Sequence, residues 1–262
     1  MNRRSLECLP VEIIHDIQLY ACSSSLPQTN KHLQGVFRSS QTGYRARYLI
    51  ACLQSGKVKE FDAATVILKF PICTQEVLDA VFRISPDIIK LGYHPELPRR
   101  LFRHLAPRTS CKHSAANEPE WSAEDYPIPL LKYLYDHPKL PRPNINSHEG
   151  YALTKAVYAG FVPLVRFLLS KGASPKRKGC MPIAVAIHRK DLALVRLLIE
   201  RDANGPCSTT KTSKGKKRKL EDRLVVTPEL LKVAVKSDAR DIVQYFTQEK
   251  GCVPDMNTIR LM

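Results

Sequence analysis

The 262-residue chain contains no uninterrupted apolar run of roughly 18 residues, the length that a helix needs to cross a bilayer. We therefore expect no membrane partner. Its first residues, MNRRSLECLPVEII, lack the continuous apolar stretch and cleavage site of a secretory signal, so we expect no signal peptide. The eight cysteines form no CxxC pair, which favours reduced thiols of the cytosol or nucleus over a disulfide framework.

The chain also lacks the short motifs on which common enzyme chemistries depend. It has no glycine-rich phosphate loop, no HExxH zinc motif and no GxSxG nucleophile motif. Cys111 and His113 form the only metal-like pair, and nothing nearby in the sequence completes a four-ligand zinc site. Its eight histidines are scattered along the chain. We therefore predict a protein that is not an enzyme, with no catalytic residues, no cofactor and no metal site.

Positive charge is what the chain has in excess. Lysine and arginine outnumber aspartate and glutamate by 41 to 25, which gives a formal charge of +16 and an isoelectric point near 9.6. Such a field favours acidic partners, nucleic acid or anionic surfaces. A nucleic-acid binder driven by this charge is one alternative. We do not expect direct nucleic-acid binding, because no recognition-helix pattern or aromatic interleaving accompanies the basic residues.

A helical pattern recurs along the C-terminal half of the chain. The stretch AGFVPLVRFLLSKGAS at 159–174 returns as KDLALVRLLIERDAN at 190–204, and a third copy follows an interruption. A weaker echo, IPLLKYLYDHP, precedes all three. In each copy a small residue precedes a tight connection by four positions. These pairs are Ala156 with Gly160, Ala186 with Lys190, and Ala234 with Asp238. Since one helix hairpin cannot bury its apolar face alone, the copies are expected to stack.

These residues resemble the ankyrin repeat, whose pattern runs TPLHxAAxxG and then VVxLLLxxGAD. MPIAVA at 181–186 keeps the proline and the alanine, and YALTKA at 151–156 keeps Leu153 and Ala156. The histidine of the TPLH box is absent throughout. The resemblance covers roughly residues 120–255 and implies a solenoid of helix hairpins that binds a target protein on its concave face and hairpin tips. The alternative is a set of unrelated amphipathic helices.

The N-terminal segment, beginning LECLPVEII, follows a different pattern. Pro10 suits the first position of a helix. Ile13, Ile14 and Ile17 then form a narrow apolar stripe at helical spacing, and a second leucine-led segment repeats that spacing from Leu33 onward. Two or three helices in about 40 residues bury little apolar surface alone. Such a motif usually completes itself against a partner.

This segment resembles the F-box, whose pattern begins LPxE, continues with aliphatic residues through a first helix and has a second leucine-led segment. The resemblance implies docking to a Skp-family adaptor and, through it, to a cullin ubiquitin-ligase complex. It assigns adaptor binding to eight residues, which are Leu9, Pro10, Ile13, Ile14, Ile17, Leu26, Pro27 and Leu33. The alternative is a plain helical cap on the repeats.

The sequence thus predicts an all-α protein with three parts. These are an F-box-like helical module at 1–45, a helical connecting region at 46–120, and ankyrin-type repeats at 121–262 with a basic loop insertion at 205–224. The connecting region is either a set of degenerate repeats or a packing linker. The combination is similar to F-box proteins with ankyrin repeats found in fungi. It implies a substrate-recognition adaptor of an SCF-type ubiquitin ligase; the alternative is an ankyrin-repeat interaction scaffold, nuclear in location and without a ligase role.

The insertion contains a block of four cations, which are Lys216, Lys217, Arg218 and Lys219. The block resembles a monopartite nuclear localisation signal, which the acidic groove of a nuclear import carrier binds in extended form. This resemblance implies that the protein occurs in both nucleus and cytoplasm. The alternative is a solvated spacer loop, because short basic clusters are common in such loops.

Overall fold

The computed structural model describes residues 6–23, 25–55, 63–89, 94–108, 121–201 and 222–260. Within these ranges the regular structure is helical, and the β-type pairing is one isolated bridge between Glu96 and Asn144. The predicted all-α class is therefore confirmed. Among the same residues, no helix is long and apolar enough to cross a membrane. Two compact units are present: residues 1–100 with 129–144, and residues 101–128 with 145–262.

The first unit is built around α3 (Thr42–Gln54), which packs against α1 (Val11–Ala21), α4 (Ala63–Lys69) and α5 (Gln75–Ile84), and α2 (Lys31–Ser39) lies between α1 and α3 in the chain. Asn30 starts α2 by accepting a hydrogen bond from the backbone N–H of His32 at 2.9 Å. Thr74 starts α5 in the same way through the N–H of Val77 at 3.4 Å. The helices of this unit are α1 (Val11–Ala21), α2 (Lys31–Ser39), α3 (Thr42–Gln54), α4 (Ala63–Lys69), α5 (Gln75–Ile84) and most of α7 (Ile128–Asp136). Short 3-10 turns cover Leu6–Cys8 and Leu26–Gln28.

The units do not follow the three predicted segments. The boundary expected at residue 45 falls inside α3, which runs from Thr42 to Gln54 and belongs wholly to the first unit. The weak echo of the repeat, centred on α7, also groups with the first unit from Pro129 onward. Its predicted apolar residues, Leu130, Leu131 and Leu134, are buried.

The second unit contains three consecutive pairs of helices. Helix α10 (Arg177–His188) contacts α8 (Ser147–Ala159) and α12 (Pro228–Lys236), and α11 (Leu192–Ile199) contacts α9 (Val162–Ser170) and α13 (Arg240–Gln244), so the pairs form two layers. The helices of this unit are most of α6 (Arg100–Arg103), α8 (Ser147–Ala159), α9 (Val162–Ser170), α10 (Arg177–His188), α11 (Leu192–Ile199), α12 (Pro228–Lys236), α13 (Arg240–Gln244) and α14 (Met256–Ile259). The predicted stripes at their interfaces are buried, including Leu164, Val165, Leu168, Leu194, Val195 and Leu198.

The same turn ends the first helix of each pair. Ala156, Ala186 and Ala234 are fully buried, and each carbonyl accepts the N–H five residues later, at 3.0, 3.2 and 3.1 Å. The residue before that donor is left-handed, which makes each turn a Schellman cap. These residues are Gly160, Lys190 and Asp238, with φ of 70°, 54° and 48°. Because a lysine and an aspartate occupy this left-handed position in the second and third copies, each of those copies bears a conformational cost of about 1 kcal/mol.

A π-helical turn, Tyr245–Glu249, follows α13 and accounts for an irregularity of the third copy. Gly251 comes one residue later than Gly172 of the first copy, relative to the aligned apolar residues. The π-turn absorbs this extra residue, because the N–H of Lys250 reaches back five positions to the carbonyl of Tyr245 at 3.2 Å. The helix pair keeps its packing despite the insertion.

The repeat is less interrupted than the prediction of a loop at 205–224 suggests. Residues 202–221 lie outside the described residues, but Arg223 is fixed against the end of α11. Its N–H donates to the carbonyl of Ile199 at 2.7 Å, and its guanidinium donates to the carbonyls of Leu197 and Glu200 at 2.7 and 2.5 Å. Leu224 is buried. The last residues of the predicted loop therefore belong to the folded repeats.

Lys250 ties the same region together from the other side. Its ammonium pairs with the carboxylates of Asp222 at 2.8 Å and Glu200 at 3.2 Å. Burial alone would lower the pKa of this lysine, but the hydrogen bonds to these carboxylates outweigh burial and raise the pKa above its ordinary value. The two carboxylates and the lysine hold the chain on both sides of residues 202–221.

Candidate protein-docking face

Helix α1 carries the candidate site and begins directly after Pro10. This proline precedes the first helical residue rather than occupying the predicted first position, and Glu12 lies in the first turn, near the positive end of the helix. The helix ends at Cys22, which is left-handed (φ 46°) and donates its N–H to the carbonyl of Gln18 at 3.1 Å. Both ends of α1 are thus defined locally.

The inner face of α1 packs into a small apolar cluster. Ile14 is 2% exposed and contacts Leu33 and Val36 of α2, with Leu26 packed against them. A cavity of about 10 Å³ is lined by Leu6, Ile14, Ile17, Leu26 and Leu33. Because the cavity is at most the size of one water molecule, these side chains are close-packed.

The outer face of α1 exposes large apolar side chains. Ile13 is 45% exposed and Tyr20 is 87% exposed, and both share a face with the half-buried Ile17 because their spacing is i, i+4 and i+7. Leu9, just before the helix, is also exposed. These side chains form a partly exposed apolar stripe along α1. We call Leu9, Ile13, Ile17 and Tyr20 the outer stripe.

A polar contact on another side of α1 fixes the helix on α3. The Tyr44 hydroxyl donates to the carbonyl of His15 at 2.7 Å and lies 3.3 Å from the side-chain oxygen of Gln18, which is almost fully buried. The rings of His15 and Tyr44 stack with centroids 4.3 Å apart. Burial, with the Asp16 carboxylate, raises the pKa of Tyr44 to about 12, so this hydroxyl stays protonated and donates at neutral pH. The contact sets the rotation of α1 and hence the direction of the outer stripe.

The structure divides the eight residues predicted to bind an adaptor. Two of them, Ile14 and Leu33, are buried in the cluster between α1 and α2. The exposed members are Leu9, Pro10 and Ile13, and the half-buried members are Ile17, Leu26 and Pro27. A partner therefore has access to the outer stripe, whereas the inner pair stabilises the module that presents it.

A second exposed surface lies on the helix pairs of the second unit. Two strained turns, one in each of the first two pairs, each place three successive residues in the left-handed region. They are residues 148–150 and 178–180, which are 30 positions apart. Next to the second turn, Lys176, Arg177 and Lys178 are exposed side by side. This surface offers positive charge to a partner.

An aromatic and cationic cluster covers the connection between α8 and α9 in the first helix pair. The rings of Trp121 and Phe161 stack with centroids 4.3 Å apart, and the Arg108 guanidinium lies 3.7 Å from the centroid of the Trp121 ring. The Trp121 indole N–H donates to the carbonyl of Ala159 at 3.4 Å, and Arg108 pairs with Asp125. The segment around Trp121 therefore acts as a cap on α8 and α9.

The described residues contain no group of three or more histidine, cysteine, aspartate or glutamate side chains able to hold a metal ion. The expectation that the protein uses no cofactor and is not an enzyme stays a prediction. The four cations predicted to bind an import carrier, Lys216, Lys217, Arg218 and Lys219, lie outside the described residues.

Comparison of the chain with protein-family models, with curated proteins and with solved structures finds no match.

Sequence reasoning missed the strained turns and the cluster around Trp121. The turns share no residue pattern, because glycine occupies the third strained position in one (Gly150) and the second in the other (Gly179). The 30-residue period was the only signal that could have related them. The Trp121 cluster joins residues 13 and 40 positions apart along the chain, and no local pattern predicts such contacts.

Proposed function

We propose that the protein is a non-enzymatic substrate-recognition adaptor of an SCF-type cullin ubiquitin ligase. The N-terminal helices dock a Skp-family adaptor, which links the protein to the cullin complex, and the helix pairs of the second unit bind the target protein. The observation that carries this proposal is the outer stripe, which continues the Leu9-Pro10 motif along the exposed side of α1.

The exposure of the outer stripe supports docking over a purely internal role. Single exposed apolar side chains are common on protein surfaces. Here Ile13 and Tyr20 lie on the same helical face, next to Leu9, while a separate face of α1 already supplies the core contact through Ile14. A helix that serves only as a cap needs one apolar face. The second apolar face is what a partner would cover.

The second unit supports the target-binding half of the proposal. Its three helix pairs end their first helices with the same hydrogen bond and the same left-handed residue, which is the regularity expected of ankyrin-type hairpins. Residues 145–201 contain ten lysines and arginines but three acidic residues. An acidic surface on the target would therefore complement this unit.

Co-purification tests the proposal. The full chain, co-expressed with a Skp-family adaptor, is expected to elute with it as a complex on gel filtration. Because the contact is apolar, the complex should persist when the salt concentration is raised, whereas an association driven by the positive charge would weaken steeply. Elution of two separate proteins would reject the ligase role and leave the interaction scaffold as the better account.

The nuclear part of the proposal has its own test. We propose that an import carrier binds Lys216, Lys217, Arg218 and Lys219, so the protein occurs in nucleus and cytoplasm. Replacing all four with alanine should move a fluorescent fusion of the full chain to the cytoplasm without changing adaptor binding. An unchanged nuclear signal would reject the import role, and the block would then be a solvated spacer.

A further inference from the structure

An apolar cleft lies in the first unit, between α2, α3 and the turn after α4. Its volume is about 100 Å³, and its lining residues are Pro27, Gln34, Phe37, Arg38, Tyr48, Phe70, Pro71 and Ile72. Sites for drug-sized molecules usually measure roughly 300–1,000 Å³. The cleft is therefore the right size for one side chain of another protein and too small for most metabolites.

Three aromatic rings form the wall of the cleft and hold its shape. Phe37 and Tyr48 meet edge-to-face with centroids 5.0 Å apart, and Tyr48 and Phe70 do so at 6.1 Å. The Tyr48 hydroxyl donates to the carbonyl of Ser23 at 2.7 Å, so this polar group already has a hydrogen-bond partner within the protein. Such edge-to-face contacts are favourable and directional, so the cleft does not depend on a ligand to form.

The polar groups at the cleft are one cation and one amide. Arg38 and Gln34 are exposed one turn apart on α2, so both side chains lie on the same side of the helix. No described acidic side chain pairs with the Arg38 guanidinium. The guanidinium of Arg45, the next arginine in the sequence, already has partners, because it donates to the carbonyl of Arg38 and the hydroxyl of Ser40.

The segments that line the cleft contain no acidic residue. No aspartate or glutamate occurs between Asp16 and Glu60, a stretch that includes α2 and α3, and none occurs at 63–75, which includes the turn after α4. An acidic segment that approaches the cleft meets cations and no described carboxylate from these elements. The positive field of these residues does not attract an uncharged or basic segment.

We propose that this cleft docks an acidic segment of a partner protein through one bulky apolar side chain, such as leucine. The apolar side chain fills the space between Phe37, Phe70 and Ile72, and a carboxylate next to it pairs with Arg38. Apolar burial provides the anchor, and the charge selects the segment that approaches.

This docking point is separate from the proposed adaptor face. The outer stripe contributes no residue to the cleft, and the eight residues predicted for the adaptor share only Pro27 with it. The cleft could therefore bind its partner whether or not the outer stripe binds a Skp-family adaptor. Failure of one proposal leaves the other standing.

Methyl NMR of the full chain, with labelled isoleucine, tests the proposal at the cleft itself. The probe is the peptide acetyl-Asp-Glu-Leu-Glu-Asp-amide. Two matched peptides replace its leucine with alanine, or its four acids with serine and glutamine. The Ile72 methyl signal should shift and saturate with the first peptide, while that of Ile13 stays in place. The peptide without leucine should bind at least about fivefold more weakly, as expected for a lost apolar anchor. The peptide without acids should bind about twofold to fivefold more weakly, as expected for a lost exposed ion pair.

A pair of charge-reversal variants separates the cleft from the general positive field. Arg38→Glu should weaken the acidic leucine peptide by about fivefold or more. Arg47→Glu, on the exposed side of α3 and outside the cleft, should change its affinity by less than about twofold. Equal losses in the two variants, equal binding of the leucine and alanine peptides, or an unmoved Ile72 signal would each overturn the proposal.

Discussion

The helix pairs of the second unit and the helices of the N-terminal module solve the same packing problem in different ways. Each pair buries its apolar stripe against the next, and residues such as Leu168 and Leu198 are fully inaccessible. In the module, α1 buries Ile14 but exposes its neighbour Ile13. The stripes between the helix pairs are therefore covered internally, whereas α1 keeps part of its apolar stripe exposed.

Apolar spacing alone does not distinguish a core face from a docking face. The stripe of Ile13, Ile14 and Ile17 spans both faces of α1, and only the fold separates them. In the repeats, the same residue types recur at equivalent positions, so burial of a position in one copy predicts burial of the aligned positions in the others.

The largest loss of stability is expected from a charge placed on the buried face of α1. Ile14→Asp places a carboxylate among Leu33, Val36 and Leu26, and we expect a loss of about 4 kcal/mol or more in the free energy of unfolding. Ile13→Asp, at an exposed position of the same helix, should change it by no more than about 0.5 kcal/mol. Urea unfolding followed by circular dichroism measures both. Similar losses in the two variants would show that α1 has no free face.

Within the repeats, truncation of a buried leucine should be costly. Leu198→Ala removes a fully buried side chain from α11, which contacts both α9 and α13, and should cost about 2–5 kcal/mol. Because repeats depend on their neighbours, hydrogen exchange should rise in the adjoining helix pairs as well. Arg166→Ala, on an exposed position of α9, is the matched control. A loss below about 0.5 kcal/mol for Leu198→Ala would contradict the packing described for these helices.

Two glycines, one from each unit, should respond with opposite signs to alanine. Gly160 is left-handed (φ 70°), and a Cβ there would lie 2.6 Å from the Arg189 guanidinium, so Gly160→Ala should destabilise the protein by about 1 kcal/mol. Gly43 lies inside α3 with open space around it, so Gly43→Ala should stabilise the protein by about 0.5–1 kcal/mol. Thermal unfolding distinguishes the two. Equal signs would refute the assigned cap at Gly160.

A similarly small effect is expected from removal of the insertion. The N–H of Arg223 meets the carbonyl of Ile199 at 2.7 Å, so the chain leaves the repeats and returns to the same place. Replacing 202–221 with two glycines should therefore change the free energy of unfolding by only about 1 kcal/mol, since loop length enters logarithmically. A loss several times larger in denaturant unfolding would show that these residues contribute to the core.

The predictable part of the fold was the part that repeats. The buried alanines and leucines of the helix pairs follow from spacing alone, and their alignment placed Lys190 and Asp238 at the tight connection of Gly160. The left-handed backbone of these two residues was not predicted, because neither is a glycine. The extra residue before Gly251 was visible in the sequence, but its accommodation as a π-turn depends on backbone geometry that spacing does not specify.

The candidate site was predictable in position but not in detail. The Leu9-Pro10 motif and the isoleucines located the correct helix, yet the division between Ile13 and Ile14 depends on how α2 and α3 pack against it. The apolar cleft was missed because its walls come from residues 27–72, whose contacts are set by the tertiary fold. The absence of acidic residues between Asp16 and Glu60 was the available signal.

Calorimetric titration with a Skp-family adaptor, for the full chain and for its Ile13→Asp variant, tests whether the outer stripe binds the adaptor. We expect the intact chain to bind and the variant to lose binding by at least about tenfold, because a carboxylate would enter a desolvated apolar contact. The melting temperature of the variant should stay unchanged, since Ile13 is exposed. Undiminished binding by Ile13→Asp, or no binding by the intact chain, would contradict the role assigned to the outer stripe.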